Sequence, residues 1–162
     1  MTIADSLLAE FDHEAATTRR LLERVPDGKG PWKPHPKSFP LGHLAQLVAT
    51  MPGWLVHMLQ KPHLDLATYP GYTFETTARL LELFDHSVGD GREAIAGAKD
   101  PIFAEPWSLK HGDLALFTLP RMTVVRTHIN HFVHHRGQLT VYLRLLDVPI
   151  PCIYGPTADE KV

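Results

Sequence analysis

The stretch HINHFVHHRGQ, residues 128–138, places four histidines within eight positions and decides how the rest of the chain is interpreted. It lies inside a segment of helical periodicity that runs from about Pro120 to Asp147. Side chains three or four positions apart share one face of a helix, and here they form two adjacent stripes. The first stripe is almost entirely apolar, which predicts that it is buried: Val125, Ile129, Phe132, Arg136, Leu139, Leu143 and Leu146.

The second stripe has apolar ends and a polar middle: Val124, His128, His131, His135, Gln138, Tyr142 and Leu145. If both stripes face other helices, each polar group buried without a partner costs about 1–3 kcal/mol. We therefore expect compensation by a metal ion, by ordered water or by polar residues of another helix. Glu14 and Thr18, on the inward face of the first predicted helix, are candidate partners.

His131 and His135 have the i, i+4 spacing with which one helix can hold a transition metal. The same spacing is also typical of surface or hydrogen-bonded histidines. Catalytic zinc usually has three protein ligands, and His128 lies about 10 Å along the helix axis from His135, which makes it a poor third ligand. The third ligand should come from another helix. His134 points from a different face, toward solvent or an interface.

Three further segments have helical periodicity, at about Ile3–Val25, Pro40–Gln60 and Thr73–Ala98, and Pro52-Gly53 should kink or divide the second. Residues 99–118 are consistent with a short hairpin turning near His111–Asp113, or with a strap across the helices. The connections between the second and third and between the third and fourth of these segments are longer than usual bundle turns, which predicts one or two crossovers. We predict one all-α domain over residues 1–162, a four-helix bundle with long crossover connections.

The composition of the chain argues against several classes of function. The chain has 162 residues and a formal net charge of −2, which argues against a nucleic-acid partner because such proteins usually carry a basic patch. No apolar run is long enough for a membrane span. Cys152 is the single cysteine and cannot form an internal disulfide, which favours a reducing compartment. We expect a cytoplasmic protein that neither binds nucleic acid nor enters a membrane.

The sequence resembles the DinB/YfiT-like family of metal-dependent four-helix-bundle proteins. The resemblance is carried by NHFVHHRGQ (130–138) and the tail LTVYLRLLDVPIPCIYGPTADE (139–160), with LGHLAQLVATMPGW (41–54), FDHEAATTRRLLERVP (11–26) and WKPHPKS (32–38). It implies a divalent ion such as zinc or nickel bound by three histidines, two of which correspond to His131 and His135. It also implies a low-molecular-weight thiol as cosubstrate and a homodimeric assembly.

The chain departs from the family pattern at the third histidine, because Leu47 stands at the corresponding position of LGHLAQL, residues 41–47. A leucine cannot ligate a metal. His43, one turn earlier, could swing toward the site, although it is rotated by roughly 40°, and Gln46 is a weak ligand that points elsewhere. His128 could hydrogen-bond into the space instead. A two-histidine site completed by water or an exogenous ligand is the other alternative.

Two functions remain open at the level of sequence. The first is a metal-dependent hydrolase or transferase acting on a small-molecule substrate, in which His131 and His135 hold the metal and His128 is the catalytic base or a supporting group. A bound metal lowers the pKa of a coordinated thiol, which suits a thiol-dependent S-transferase. The second is a non-catalytic member without metal, binding a small molecule or acting as a dimer through aromatic residues such as Trp54, Trp107 and Tyr154.

Overall fold

The computed structural model describes residues 1–161 as a helical bundle with a small sheet packed beside it. The helices are α1 (Ile3–Leu22), α2 (Leu41–Thr50), α3 (Trp54–Gln60), α4 (Thr77–Ala96) and α5 (Arg121–Arg144). The strands are β1 (His63–Asp65), β2 (Pro106–His111) and β3 (Leu114–Pro120). Single 3₁₀ turns occupy Met51–Gly53, Leu66–Thr68 and Asp100–Ala104.

Local sequence explains where the helices begin and break. Thr2 and Asp5 form a reciprocal capping box at the start of α1. The helix predicted over residues 40–60 is divided into α2 and α3 by the 3₁₀ turn that contains Pro52, so the predicted break is confirmed. The Thr76 side chain accepts a hydrogen bond from the Arg79 amide, so α4 begins at Thr77 and not at residue 73.

The connection between the third and fourth predicted helices is a crossover, as predicted, whereas the other crossover joins the first two helices and not the second and third. Helix α1 packs mainly against α4 and α5, while α2 and α3 pack against the same two helices from the opposite side. The consecutive helices α1 and α2 are therefore diagonal neighbours, and so are α4 and α5. Gly91 allows the close approach of α4 to the turn between α2 and α3, because a Cβ atom there would lie 2.4 Å from the Pro52 carbonyl oxygen.

The prediction of a purely all-α fold is wrong, because the described residues include a three-stranded mixed sheet of order β1-β2-β3. The predicted hairpin is confirmed: β2 and β3 pair antiparallel, and Gly112 turns between them with φ +59°. Strand β1 adds a short parallel edge to β2. The strand is only three residues long, which is shorter than the alternating runs of four or more residues from which a strand is predicted.

Arg136 is a buried charged residue whose guanidinium is paired with a carboxylate and with hydroxyl groups inside the bundle. Its side chain is 1% exposed, and its Nη1 lies 2.6 Å from Glu14 Oε2. Arg136 also donates to Thr18 Oγ1 and to the hydroxyl of Tyr154, and that hydroxyl donates to Glu14 Oε1 over 2.9 Å. The prediction that Glu14 and Thr18 partner the histidines is therefore wrong, because both residues bind the guanidinium of Arg136, which lies on the neighbouring stripe of α5.

Two of the aromatic residues considered for an interface have internal contacts. Trp107 is buried in the core and donates its indole N–H to the His57 carbonyl. Tyr154 has an exposed ring but a hydroxyl fixed by Arg136 and Glu14. Within residues 1–161, every helix is too short or too polar to cross a membrane.

Candidate functional site

The imidazoles of His131 and His135 converge on the inward side of α5. Their Nε2 atoms lie 2.8 Å apart, and the ring centroids are 4.5 Å apart. The i, i+4 spacing places both rings on one helix face, as the sequence predicts. His135 is buried and His131 is exposed, so the pair stands at the boundary between the bundle and solvent. One side of the pair is therefore accessible to a ligand from solution.

Gln138 fixes the orientation and tautomer of His135. Its side-chain oxygen Oε1 lies 2.8 Å from His135 Nδ1. Because an amide oxygen only accepts, Nδ1 carries the proton and His135 Nε2 presents a lone pair. That lone pair accepts the Nε2 proton of His131. A carbonyl or carboxylate on the second ring nitrogen is the usual support of a metal-binding histidine.

Burial holds both imidazoles in the neutral form. It lowers the pKa of His131, and the neighbouring His135 and His134 lower that pKa further. It also lowers the pKa of His135, although the hydrogen bond to Gln138 acts in the opposite direction. Neutral imidazole is the form that ligates a metal. Both side chains are neutral at neutral pH, and His131 would move its proton from Nε2 to Nδ1 to present Nε2 to a metal.

His128 lies deeper on the same stripe and is held by the break between α2 and α3. Its Nε2 lies 2.7 Å from the Met51 carbonyl oxygen, so it donates its proton there. Its ring stacks on Trp54, with centroids 5.6 Å apart. Desolvation lowers the pKa of His128 to about 4, despite the opposing effect of the Met51 hydrogen bond. His128 contacts the edge of His131 but directs Nε2 away from it.

Leu47 and His43 occupy the side of α2 that faces the histidine stripe. Leu47 is 7% exposed and packs in the core cluster with Phe132 and Leu139. His43 lies near enough to His135 for that residue to lower its pKa, with burial as the larger cause. Its ring stacks on Phe39 at a centroid distance of 4.3 Å. The structure thus assigns His43 to an aromatic stack beside the pair.

The two histidines fit a divalent metal as a pair of ligands. Zn–N distances of about 2.0–2.1 Å and tetrahedral angles require the two nitrogens to be roughly 3.3 Å apart. The observed 2.8 Å separation needs a small opening, which the exposed ring of His131 permits. Within residues 1–161, no group of three or more His, Cys, Asp or Glu side chains is arranged to hold a metal. Among the described residues, the histidine pair is therefore the candidate set of metal ligands.

The family of the chain follows from comparison with known proteins. A family model described as the DinB family matches residues 1–161. This chain belongs to the DinB family. The match confirms the family resemblance that the sequence motifs indicated, and it covers residues 1–161 of this DinB protein.

Solved structures support the same fold. A DinB-like protein from Bacillus cereus ATCC 10987 is 23% identical, with a TM-score of 0.72 over 94% of this chain and 98% of that one. The DinB-like protein YjoA from Bacillus subtilis is 14% identical, with a TM-score of 0.70 over 97% and 99% of the two chains. At these identities the likeness concerns the fold. An uncharacterized protein, YrdA of Bacillus subtilis strain 168, is 40% identical over 42 residues, which span 26% of this chain and 25% of that protein.

Sequence reasoning found the histidines of the DinB protein but missed the residues that surround them. Tyr69 and Tyr72, in the connection before α4, come close to Trp54 and His43 respectively. Trp54 donates its indole N–H to the Tyr69 hydroxyl. The connection has no periodicity, so no pattern assigned its tyrosines to this site. Their aromatic character in an otherwise polar segment was the available signal.

Proposed function

We propose that this DinB protein is a metal-dependent transferase or hydrolase that binds zinc or nickel through His131 and His135. Water and an exogenous ligand, such as a low-molecular-weight thiol, complete the coordination. The observation that carries the proposal is the 2.8 Å separation of the two Nε2 atoms at a solvent-accessible edge. The hydrogen bond from His135 to Gln138 supports it, because that bond presets the ring for ligation.

A metal bound there would lower the pKa of a coordinated thiol and supply a thiolate near neutral pH. The contribution of the chain is to orient the two imidazoles and keep them neutral. We assign His128 a positioning role in preference to that of catalytic base, because its Nε2 is engaged with the Met51 carbonyl. Its ring supports the inner edge of His131 and separates it from Trp54.

The test is elemental analysis of protein purified without a histidine tag or chelator. We expect near-equimolar zinc or nickel in the parent and in His134→Ala, which changes an exposed histidine of the same helix. His131→Ala should lose the metal, and Leu47→His should bind it more tightly, since it adds the third ligand. Metal-free parent protein together with metal-bound Leu47→His would refute a functional two-histidine site.

A second candidate function is a non-catalytic, homodimeric member of the family that binds a small molecule without metal. The burial of Leu47 at the third ligand position favours it. The edge strand β3 also favours dimerisation, since Leu114, Leu116 and Leu119 are exposed along it without any charged residue. Sedimentation of the parent and of Leu116→Lys distinguishes the states: a dimer that dissociates in the variant supports this assembly, and a monomeric parent refutes it.

A further inference from the structure

Eight aromatic side chains, the His131–His135 pair among them, form a continuous chain of ring contacts. We name them the aromatic collar: Phe39, His43, Tyr72, Tyr69, Trp54, His128, His131 and His135. Consecutive members have centroid distances of 4.3–6.4 Å.

The collar joins four parts of the chain. Phe39 and His43 lie just before and within the first turn of α2, Trp54 begins α3, and the other histidines belong to α5. Tyr69 and Tyr72 lie in the connection before α4 and link Phe39 and His43 to Trp54. This chain of ring contacts therefore depends on tertiary packing.

The eight members of the collar are phenyl, phenol, indole and imidazole rings. Burial raises the pKa of the Tyr72 hydroxyl to about 12, so that hydroxyl keeps its proton near neutral pH. None of the eight members is an acidic, lysine or arginine side chain, so ring faces and ring edges are the main surfaces that the collar offers to a ligand.

The collar is partly open to solvent and partly buried. Phe39 is 47% exposed and His131 is exposed, whereas Trp54 and Tyr72 are half-buried. Leu47 lies on α2 one turn after His43 and one turn before Met51, the residue whose carbonyl binds His128. It is buried and adds an apolar side chain between two collar contacts.

We propose that the aromatic collar binds a planar aromatic group of the substrate and holds it beside His131 and His135. Offset and edge-to-face contacts between rings strengthen binding beyond the burial of area alone. A saturated ring of similar size gains only the burial. This inference rests on the proposed function for the position of the reacting group, and it adds the class of substrate that the site selects.

The experiment compares two pairs of probes that differ only in planarity. Phenylmethanethiol and cyclohexylmethanethiol carry a thiol, while benzyl alcohol and cyclohexylmethanol carry a hydroxyl. Dissociation constants are measured by ligand-observed NMR titration on the full chain, before and after treatment with a chelator. We expect each planar probe to bind about fivefold more tightly than its saturated partner in both conditions.

Single substitutions test whether the collar rings cause the preference for planar probes. Tyr72→Leu and Phe39→Leu each remove one collar ring and should reduce the planar preference toward unity. Phe117→Leu changes a partly exposed ring on β3, outside the collar, and should leave it unchanged. Equal binding of planar and saturated probes by the parent, or no binding of either, would overturn the proposal. So would an unchanged preference in both collar variants.

The two proposals fail in different ways in this experiment. If no metal is bound, the chelator leaves the affinity of both thiols unchanged, while the planar preference of the alcohols persists. If the collar does not select aromatic groups, the planar preference is absent, while the chelator still weakens thiol binding. The alcohol pair in chelated protein therefore tests the collar alone.

Discussion

The neutral, buried His128 should make the fold sensitive to acid. An unfolded histidine titrates at about 6.5, whereas desolvation in the fold lowers the pKa of His128 to about 4. Between these values the unfolded chain binds a proton that the folded chain does not. The contribution of His128 to stability is therefore complete above pH 6.5 and declines as the pH falls from 6.5 to 4.

The magnitude follows from the difference between 6.5 and about 4. At about 1.4 kcal/mol per pH unit, the loss attributable to His128 is about 3 kcal/mol. Burial also lowers the pKa values of other histidines, including His43 and His57, so protonation of the unfolded chain at these positions destabilises the fold as the pH falls below 6.5. The effect of His128 must therefore be measured as a difference between the parent and a variant that does not titrate.

His128→Gln is the informative variant, because the glutamine amide can still donate a hydrogen bond to the Met51 carbonyl without carrying a charge. Urea unfolding is measured between pH 7 and pH 4, with a chelator present to prevent metal binding at His131 and His135. From pH 7 to 4 the parent should lose about 3 kcal/mol more than the variant. His134→Gln, at an exposed position of the same helix, should follow the parent. Parallel pH profiles for the parent and His128→Gln would refute the reasoning.

Two further predictions concern buried contacts of the bundle. Glu14→Gln leaves the buried Arg136 charge without its carboxylate and should cost about 3–5 kcal/mol in urea unfolding. Arg19→Ala removes an exposed pair and should cost less than about 1 kcal/mol, so similar losses would contradict the role of burial. Gly91→Ala places a Cβ 2.4 Å from the Pro52 carbonyl oxygen and should destabilise by about 1–3 kcal/mol. Gly89→Ala, on the same helix with open space, should stabilise by up to about 1 kcal/mol, and thermal unfolding of both variants tests the contrast.

The helices were predictable because each depends on residues close together in sequence. The period of apolar side chains located four helical segments, and Pro52-Gly53 located the break between α2 and α3. The same periodicity placed His131 and His135 on one helix face. Strand β1 was not predictable, because its pairing with β2 joins segments more than 40 residues apart.

The sequence by itself determined the helical bundle, its family and the position of a histidine pair on one face of α5. Helical geometry fixes which side chains of one segment share a face, and this information is local. Tertiary structure alone decided that Glu14 pairs with Arg136, that His128 binds the Met51 carbonyl, and that aromatic rings from four parts of the chain, the histidine pair among them, form one chain of ring contacts. These contacts depend on the relative positions of distant segments, which are set when the whole core packs.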